Sequence, residues 1–268
     1  MECWHTGILE GNSVSLPQHS IIPIFQHSSE VKDCIKKHKS VIFVLLIGNI
    51  TLIMTELTEQ LKAFGPVPVT GSDLSASLSD YDSPKDKLAY MVRQGQLLRL
   101  KRDLYCVANR ITGERFSMPL IANHLYGPSY VSLESALSYY QLIPERVVCT
   151  KSVVSKRAKS METPLGLFTY QTVPSGYYSV GIRQEIVNDR IAFFIASPEK
   201  ALCDLLLMRS RVRITSAGAM QTFLLDEMRM DLSELKNPDL SIVDACIATH
   251  HKPLELKSLR KVLEHECV

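Results

Sequence analysis

The sequence predicts an α+β protein, a small unit of helices and a hairpin followed by a larger mixed domain with a helical tail. Three observations predict it. Three short segments with helical apolar spacing precede two short apolar runs around a basic turn between residues 54 and 111. Strand-like runs take over between about 147 and 195, one of them strictly alternating. Helical spacing returns from Ser216 to the C-terminus. With 268 residues, 46% hydrophobic and 22% charged, the chain can bury a sizeable core and has none of the bias of a disordered one.

Residues 1–53 stand apart. They carry four Lys against four Asp/Glu and end in the apolar run Val41–Ile53. That run is thirteen residues long with Gly48, Asn49 and Thr51 inside it, whereas spanning a bilayer takes roughly 20 apolar residues. Some forty residues precede it, which does not fit a secretory signal. The segment is read as an over-long start or a non-domain extension, and the chain as cytoplasmic with no membrane partner. The seven cysteines are scattered, with no Cys-x-x-Cys pair, a pattern of reduced thiols rather than a zinc site or a disulfide framework. His250 and His251 are adjacent, a spacing that suits a surface turn better than a metal. No cofactor, metal or small-molecule substrate is expected.

The unit 54–111 can be built residue by residue. Leu57, Leu61 and Phe64 recur at helical spacing, and Gly65-Pro-Val-Pro68 stops the helix. Thr70-Gly-Ser-Asp73 reads as a capping box ahead of Leu74 and Leu78. Ser83 as N-cap and Pro84 at the first helical position open a third helix that ends at Gly95. Leu88, Met91 and Val92 share its inner face, while Asp86, Ala89, Tyr90 and Arg93 fall opposite, with Lys85 and Lys87 at the flanks. Two short strands, Gln96–Leu100 and Leu104–Val107, then flank the basic turn Lys101-Arg-Asp103. Three helices and a two-stranded wing make a winged helix-turn-helix, whose third helix would enter a major groove while the wing touches phosphate. The candidate DNA-binding residues are therefore Lys85, Tyr90 and Arg93 on the helix, with Arg99, Lys101 and Arg102 at the wing. The same architecture also serves as a protein-interaction module, which leaves a scaffold that never touches DNA as an alternative.

From 118 to 268 the pattern is mixed. Pro119–Tyr126 and Leu133–Tyr140, the latter capped by Ser132, read as helices. Val147–Val154, Leu167–Val173 and the pair Gln184–Val187 and Arg190–Ile195 around Asn188-Asp189 read as strands. Ser197-Pro198 opens a helix through Leu207, and the tail holds three more, about 216–228, 241–248 and 253–264.

Two long motifs in this region carry a resemblance. Tyr126-Gly-Pro-Ser-Tyr-Val-Ser-Leu-Glu-Ser-Ala-Leu-Ser-Tyr-Tyr140 with Ile143-Pro-Glu145, and Ile195-Ala-Ser-Pro-Glu-Lys-Ala-Leu202 with Asp204, resemble the AbiEi group, antitoxins and transcriptional regulators of type IV, abortive-infection E toxin–antitoxin systems of bacteria. Thr163-Pro-Leu-Gly-Leu-Phe-Thr-Tyr170 matches the way those proteins turn into a strand. The resemblance covers about 54–208 and implies a winged helix before an α+β antitoxin domain. It further implies repression of the operon's own promoter through inverted repeats. The last implication is neutralisation, in phage defence, of a co-encoded nucleotidyltransferase-like toxin without a stable complex. One position departs: the wing turn usually has Gly after the Lys/Arg pair, and this chain has Asp103, which tolerates a left-handed backbone better than most residues.

Lys151, Lys156, Arg157 and Lys159 crowd an expected loop, and Arg209, Arg211 and Arg213 alternate over five residues. Both sets could form a secondary basic surface on nucleic acid, since each neutralised phosphate releases counterion; both could equally be solvated surface. A nuclease-like reading would use Glu199, Lys200 and Asp204. Positions 199 and 204 lie about 140° apart around a helix, and no phosphate-binding loop, nucleophile elbow or metal cluster accompanies them, so no catalytic residue is expected. Glu134 and Glu199 are read as helix-terminus residues. The net charge of +2 spreads evenly, with nine Lys/Arg against eight Asp/Glu in 54–117 and 17 against 16 from 118 onward. Any DNA binding therefore depends on where a few cations sit.

Overall fold

The computed structural model describes residues 57–145, 147–209 and 213–266, which form an α+β fold. The readings of residues 1–53 lie outside the described residues. Among those described, no helix is long and apolar enough to cross a membrane.

Helix α1 (57–63) buries Leu57 and Leu61. Strand β1 (Val69–Thr70), which the Pro-rich stop signal concealed, leads directly into α2 (Gly71–Ala76). There Thr70 caps as expected, its Oγ1 accepting from Asp73 N at 3.2 Å and donating to Asp73 Oδ2 at 2.7 Å. Helix α3 (Pro84–Arg93) has Ser83 at its N-cap and Pro84 at its first position. It ends before Gly95, which has the positive φ of 64° that a helix stop needs. Strands β2 (Leu97–Lys101) and β3 (Leu104–Val107) form the hairpin, and β1 adds antiparallel to β3 to give the order β1-β3-β2.

The pleat of this hairpin decides how the fold is assembled. Leu97, Tyr105 and Val107 face a small core with Leu57, Leu61, Leu74, Leu78, Leu88 and Met91. Leu100, Leu104 and Cys106 face the other way, into the main core of the larger region. A register shift between Arg99 and Lys101 lets β2 supply Leu97 to one side and Leu100 to the other. The expected break between 111 and 118 holds only the short helix α4 (Asn109–Thr112) and a few further residues before α5 (Met118–Leu125).

The larger region is a six-stranded mixed sheet of order β6-β7-β5-β4-β9-β8. Its strands are β4 (Tyr130–Val131), β5 (Thr150–Val154), β6 (Lys159–Thr163), β7 (Gly166–Thr172), β8 (Ile182–Val187) and β9 (Ile191–Ala196). β4 lies at the centre, antiparallel to β5 and parallel to β9. It has only two residues, below the length at which alternation is readable. The β8–β9 hairpin turns at Asn188 and Asp189, both at φ 53°, the left-handed pair that the sequence signals. Helix α6 (Leu133–Tyr139) follows β4, the short α7 (Ser175–Tyr178) follows β7, and α8 (Pro198–Met208) follows β9. The tail is α9 (Ala217–Thr222) continued by a π-helical turn Phe223–Glu227, then α10 (Leu240–Ala248) and α11 (Pro253–Glu266). The expected loop around Lys151–Lys159 is a correction: Lys151 lies within β5 and Lys159 opens β6, leaving only 155–158 as the crossing over the end of β7.

The turn residue Asp103 sits at φ 60°, and its Oδ1 accepts from the backbone N–H of Gly71 at 3.1 Å. A Cβ on Gly71 would stand 2.4 Å from that oxygen, so any larger residue there must displace the Asp103 carboxylate from its bond to the Gly71 N–H. Gly71→Ala is expected to lower stability by about 1–3 kcal/mol in urea unfolding. Placing it in an Asp103→Gly background removes the clash, and a double-mutant cycle should return most of that loss; strict additivity would refute the contact's role.

Candidate nucleic-acid interface

The outward face of α3 is held in place by its inward one. Leu88 and Met91 anchor the helix in the small core, which leaves Lys85, Tyr90 and Arg93 exposed, Tyr90 at 47%. Lys87 lies 4.4 Å from the Tyr81 ring centroid and 5.7 Å from that of Tyr90, so it stiffens the aromatic surface. Asp86 is taken up by Ser83, whose Oγ donates to it at 2.7 Å. Neither Lys85 nor Arg93 has an ion-pair partner among the described residues.

Lys85 also borders a cleft of about 340 Å³ with Gly71, Ser72, Asp103 and Tyr105. Tyr105 is the cross-strand partner of Arg99, which is exposed, and Arg102 is exposed at the turn. The third helix and the near face of the hairpin thus present Lys85, Arg99 and Arg102 without carboxylate partners among the described residues.

Lys101 is placed differently. Its Nζ donates to the carbonyls of His124 at 3.1 Å and Leu125 at 2.7 Å, the end of α5. Lys156 joins it there, donating to Gly127 O at 2.6 Å and lying 3.8 Å from the Tyr126 ring centroid. Of two cations read as phosphate contacts, Lys101 therefore caps the negative end of a helix and Lys156 holds the turn just beyond it. Burial, together with the charges of Lys159 and Lys156, pulls the Lys101 ammonium below its ordinary value. Burial and Lys101 likewise pull the His124 imidazolium down. The hairpin lysine Lys101 and the crossing 155–158, far apart in sequence, are neighbours in space.

The other expected basic positions separate. Lys151 pairs with Glu134 at 2.9 Å, so neither is free surface and Glu134 is not simply a helix-terminus residue. Arg157 and Lys159 are exposed, and the Arg157 carbonyl accepts from Tyr126 Oη at 3.0 Å. Arg209 lies 4.5 Å from the Phe223 ring centroid and 3.5 Å from Glu227, bracing the helical tail. Arg213 is exposed, and Arg211 lies outside the described residues. Arg209 and Arg213 are placed differently, one packed against the tail and the other exposed.

The second motif does its work in the interior. Lys200 and Asp204 are fully buried and pair at 3.2 Å. Asp204 Oδ2 accepts from Ser132 at 2.6 Å and Tyr130 at 3.0 Å, while Lys200 donates to Tyr177 O at 2.8 Å and lies 3.3 Å from that ring's centroid. The two long motifs meet at this carboxylate. Burial pushes the Asp204 carboxyl up, against the pull of Lys200 and the hydroxyls. Glu199 points elsewhere, accepting from Asp239 N at 3.0 Å at the start of α10, so its role is to seat that helix. Gly181, at φ 65°, lets the chain pass Lys200 where a Cβ would be 2.8 Å from the lysine Cβ. Among the described residues, no group of His, Cys, Asp and Glu is placed to hold a metal ion. His250 sits in a turn and His251 packs edge-on against Tyr177.

No family model matches the chain, and no curated protein matches it.

Lys200→Met leaves a buried carboxylate without its counter-charge and is expected to cost about 3–5 kcal/mol near neutral pH. Because Asp204 titrates above an unfolded carboxyl, its charged form loses stability as pH rises; the Lys200→Met deficit should therefore shrink as pH falls into the carboxylate range. Urea unfolding of both proteins between pH 4 and 8 reads this out, and a deficit independent of pH would refute a charged pair.

Proposed function

We propose that the chain is a bacterial antitoxin-type transcriptional autorepressor of the abortive-infection E class, with residues 54–111 acting as a winged helix-turn-helix. The observation that carries the reading is the outer face of α3: an exposed aromatic between two cations without ion-pair partners among the described residues, on a helix whose opposite face is locked into a core. That is the arrangement a recognition helix needs, since base-edge contacts require side chains free to reach and a backbone that does not move. Lys85, Tyr90 and Arg93 then meet base edges. Arg99 and Arg102 hold phosphate beside them, and Lys101 positions the hairpin by tying it to α5. Arg157 and Lys159 extend the basic surface from the far side of Lys101.

The resemblance of the two motifs supports the remainder: an operator of inverted repeats taking two copies, and a larger domain that counteracts a nucleotidyltransferase-like toxin. Both motifs contribute to the Asp204 network, so their residue types are explained by the core they build. In that setting Lys200 and Asp204 have no surface to offer a substrate, which weighs against the nuclease-like alternative.

Because the unit is near neutral, few phosphate contacts are available and each counts. In a gel-shift assay on the protein's own upstream region with random DNA as competitor, Arg99→Ala plus Arg102→Ala is expected to reduce the salt slope by about two. Lys101→Ala is expected to lower the melting temperature and change the slope less. Equal slopes for the wild type and the Arg99/Arg102 variant would remove those residues from the interface. No shift on any DNA would favour the scaffold reading.

A further inference from the structure

Strand β8 is one edge of the six-stranded sheet. Two bonds fix the direction of its backbone groups. Gly181 O accepts from Ser197 N at 2.9 Å, and Phe194 N turns away from β8 to donate to Asn123 Oδ1 at 2.6 Å. Backbone groups alternate along an antiparallel strand, so those of Arg183 and Glu185 bond β9, while the N–H and C=O of Ile182, Gln184 and Ile186 point to the free edge. Among the described residues, no turn, loop or side-chain hydrogen bond reaches these three. A bare edge invites pairing, and β8 carries neither the proline nor the bulge that would blunt it.

The side chains fall into two sets. Ile182, Gln184 and Ile186 share a face with Ala192 and Phe194 of β9; Ile186 is 62% exposed and Phe194 51%. Arg183 and Glu185 lie on the other face, and neither has an ion-pair partner among the described residues. The strand thus presents two opposite charges and two isoleucines, each set spaced evenly about Gln184.

We propose that β8 pairs antiparallel with β8 of a second copy of this chain, about a two-fold axis at Gln184, joining the two sheets edge to edge. In that register Arg183 stands opposite Glu185 of the second copy and Glu185 opposite its Arg183. Ile182 likewise meets Ile186, and Ile186 meets Ile182, while the outward backbone groups of the two strands satisfy one another. An interface between identical copies must complement itself, and this strand does. The neighbouring registers fail. A slip that keeps the outward groups facing each other sets Arg183 against Arg183 in one direction and Glu185 against Glu185 in the other, which is destabilising. The opposite edge offers no such match: Lys159 and Glu162 of β6 are three residues apart and lie on opposite faces, so no two-fold pairing sets one against the other. The dimer does not rest on the DNA-binding reading and stands or falls separately from it.

Sedimentation equilibrium of the full chain tests it, at low salt because exposed charge pairs are screened. The wild type is expected to dimerise with Kd of about 1–100 μM, the weak end that suits a small interface. Arg183→Glu and Glu185→Arg each turn two attractive pairs into two repulsive ones and should weaken the dimer about 10-fold or more. Mixed in equal amounts, the two variants should form a 1:1 heterodimer near wild-type affinity, because every charge then meets its opposite. The chain carrying both substitutions should dimerise again for the same reason. Gln184→Pro removes an outward N–H, a place where an edge strand accepts proline, and should leave a folded monomer by thermal unfolding. A wild type that stays monomeric well above that Kd range overturns the proposal. So does a dimer that neither charge variant weakens, or a mixture of the two that fails to associate.

Discussion

The buried Lys200–Asp204 pair is the constraint on which the larger region depends. An ammonium and a carboxylate without solvent are tolerable only with compensating partners, and here Asp204 Oδ2 takes two hydroxyls and Lys200 a backbone carbonyl, while Asp204 Oδ1 has the ion pair with Lys200. Asp204 draws Tyr130 from the short strand β4 and Ser132 from the residue that follows it, Lys200 draws the Tyr177 carbonyl, and Gly181 is obliged to be glycine so that the chain can pass. Ser132 also stands at the N-cap position of α6 and Glu199 seats α10. Four elements are thereby registered against α8 by polar geometry. Hydrophobic packing alone tolerates small slips; this arrangement does not.

A second set of contacts joins that region to the helices before it. The carbonyls at the end of α5 need donors, and the chain supplies Lys101 from the hairpin, while Lys156 from the crossing between β5 and β6 donates to Gly127 O in the turn that follows. The same helix presents Asn123 to β9. Helix α5 is therefore fastened at its end by Lys101 and along its side by an amide, with Lys156 holding the turn that follows it. Lys85, Arg93, Arg99 and Arg102 remain exposed on or beside α3, and the proposed interface centres there because they share that surface with Tyr90.

Much of this was legible in the sequence. Caps and stops placed α2, α3, α5, α6 and α8 within a residue or two, because the side chains of Thr70 and Ser197 cap locally and Pro84 and Pro198 set the first turn, whereas the Ser132 hydroxyl stands at the N-cap position but turns to Asp204. What escaped was set by distant partners. Strands β1 and β4 are two residues long and exist only through their neighbours, and β6, on the edge of the sheet, alternates too weakly to read. Basic residues could be identified but not assigned: whether Lys101, Lys151 or Arg209 meets solvent, a carbonyl or a carboxylate depends on residues 17 to 24 positions away. The burial of Lys200 and Asp204 had one local signal, their i, i+4 spacing within an otherwise apolar helix.

The hairpin with a core on each side has a consequence for dissecting the chain. A fragment ending near residue 112 would keep the three helices and the sheet, yet it would turn Leu100, Leu104 and Cys106 out into water as a contiguous apolar strip along strand backbone. Such a strip is a template for self-association, so the isolated fragment should be aggregation-prone where the intact chain is not. The remedy is polar substitution of that one face, which would render the fragment soluble while leaving the outward residues of α3 untouched.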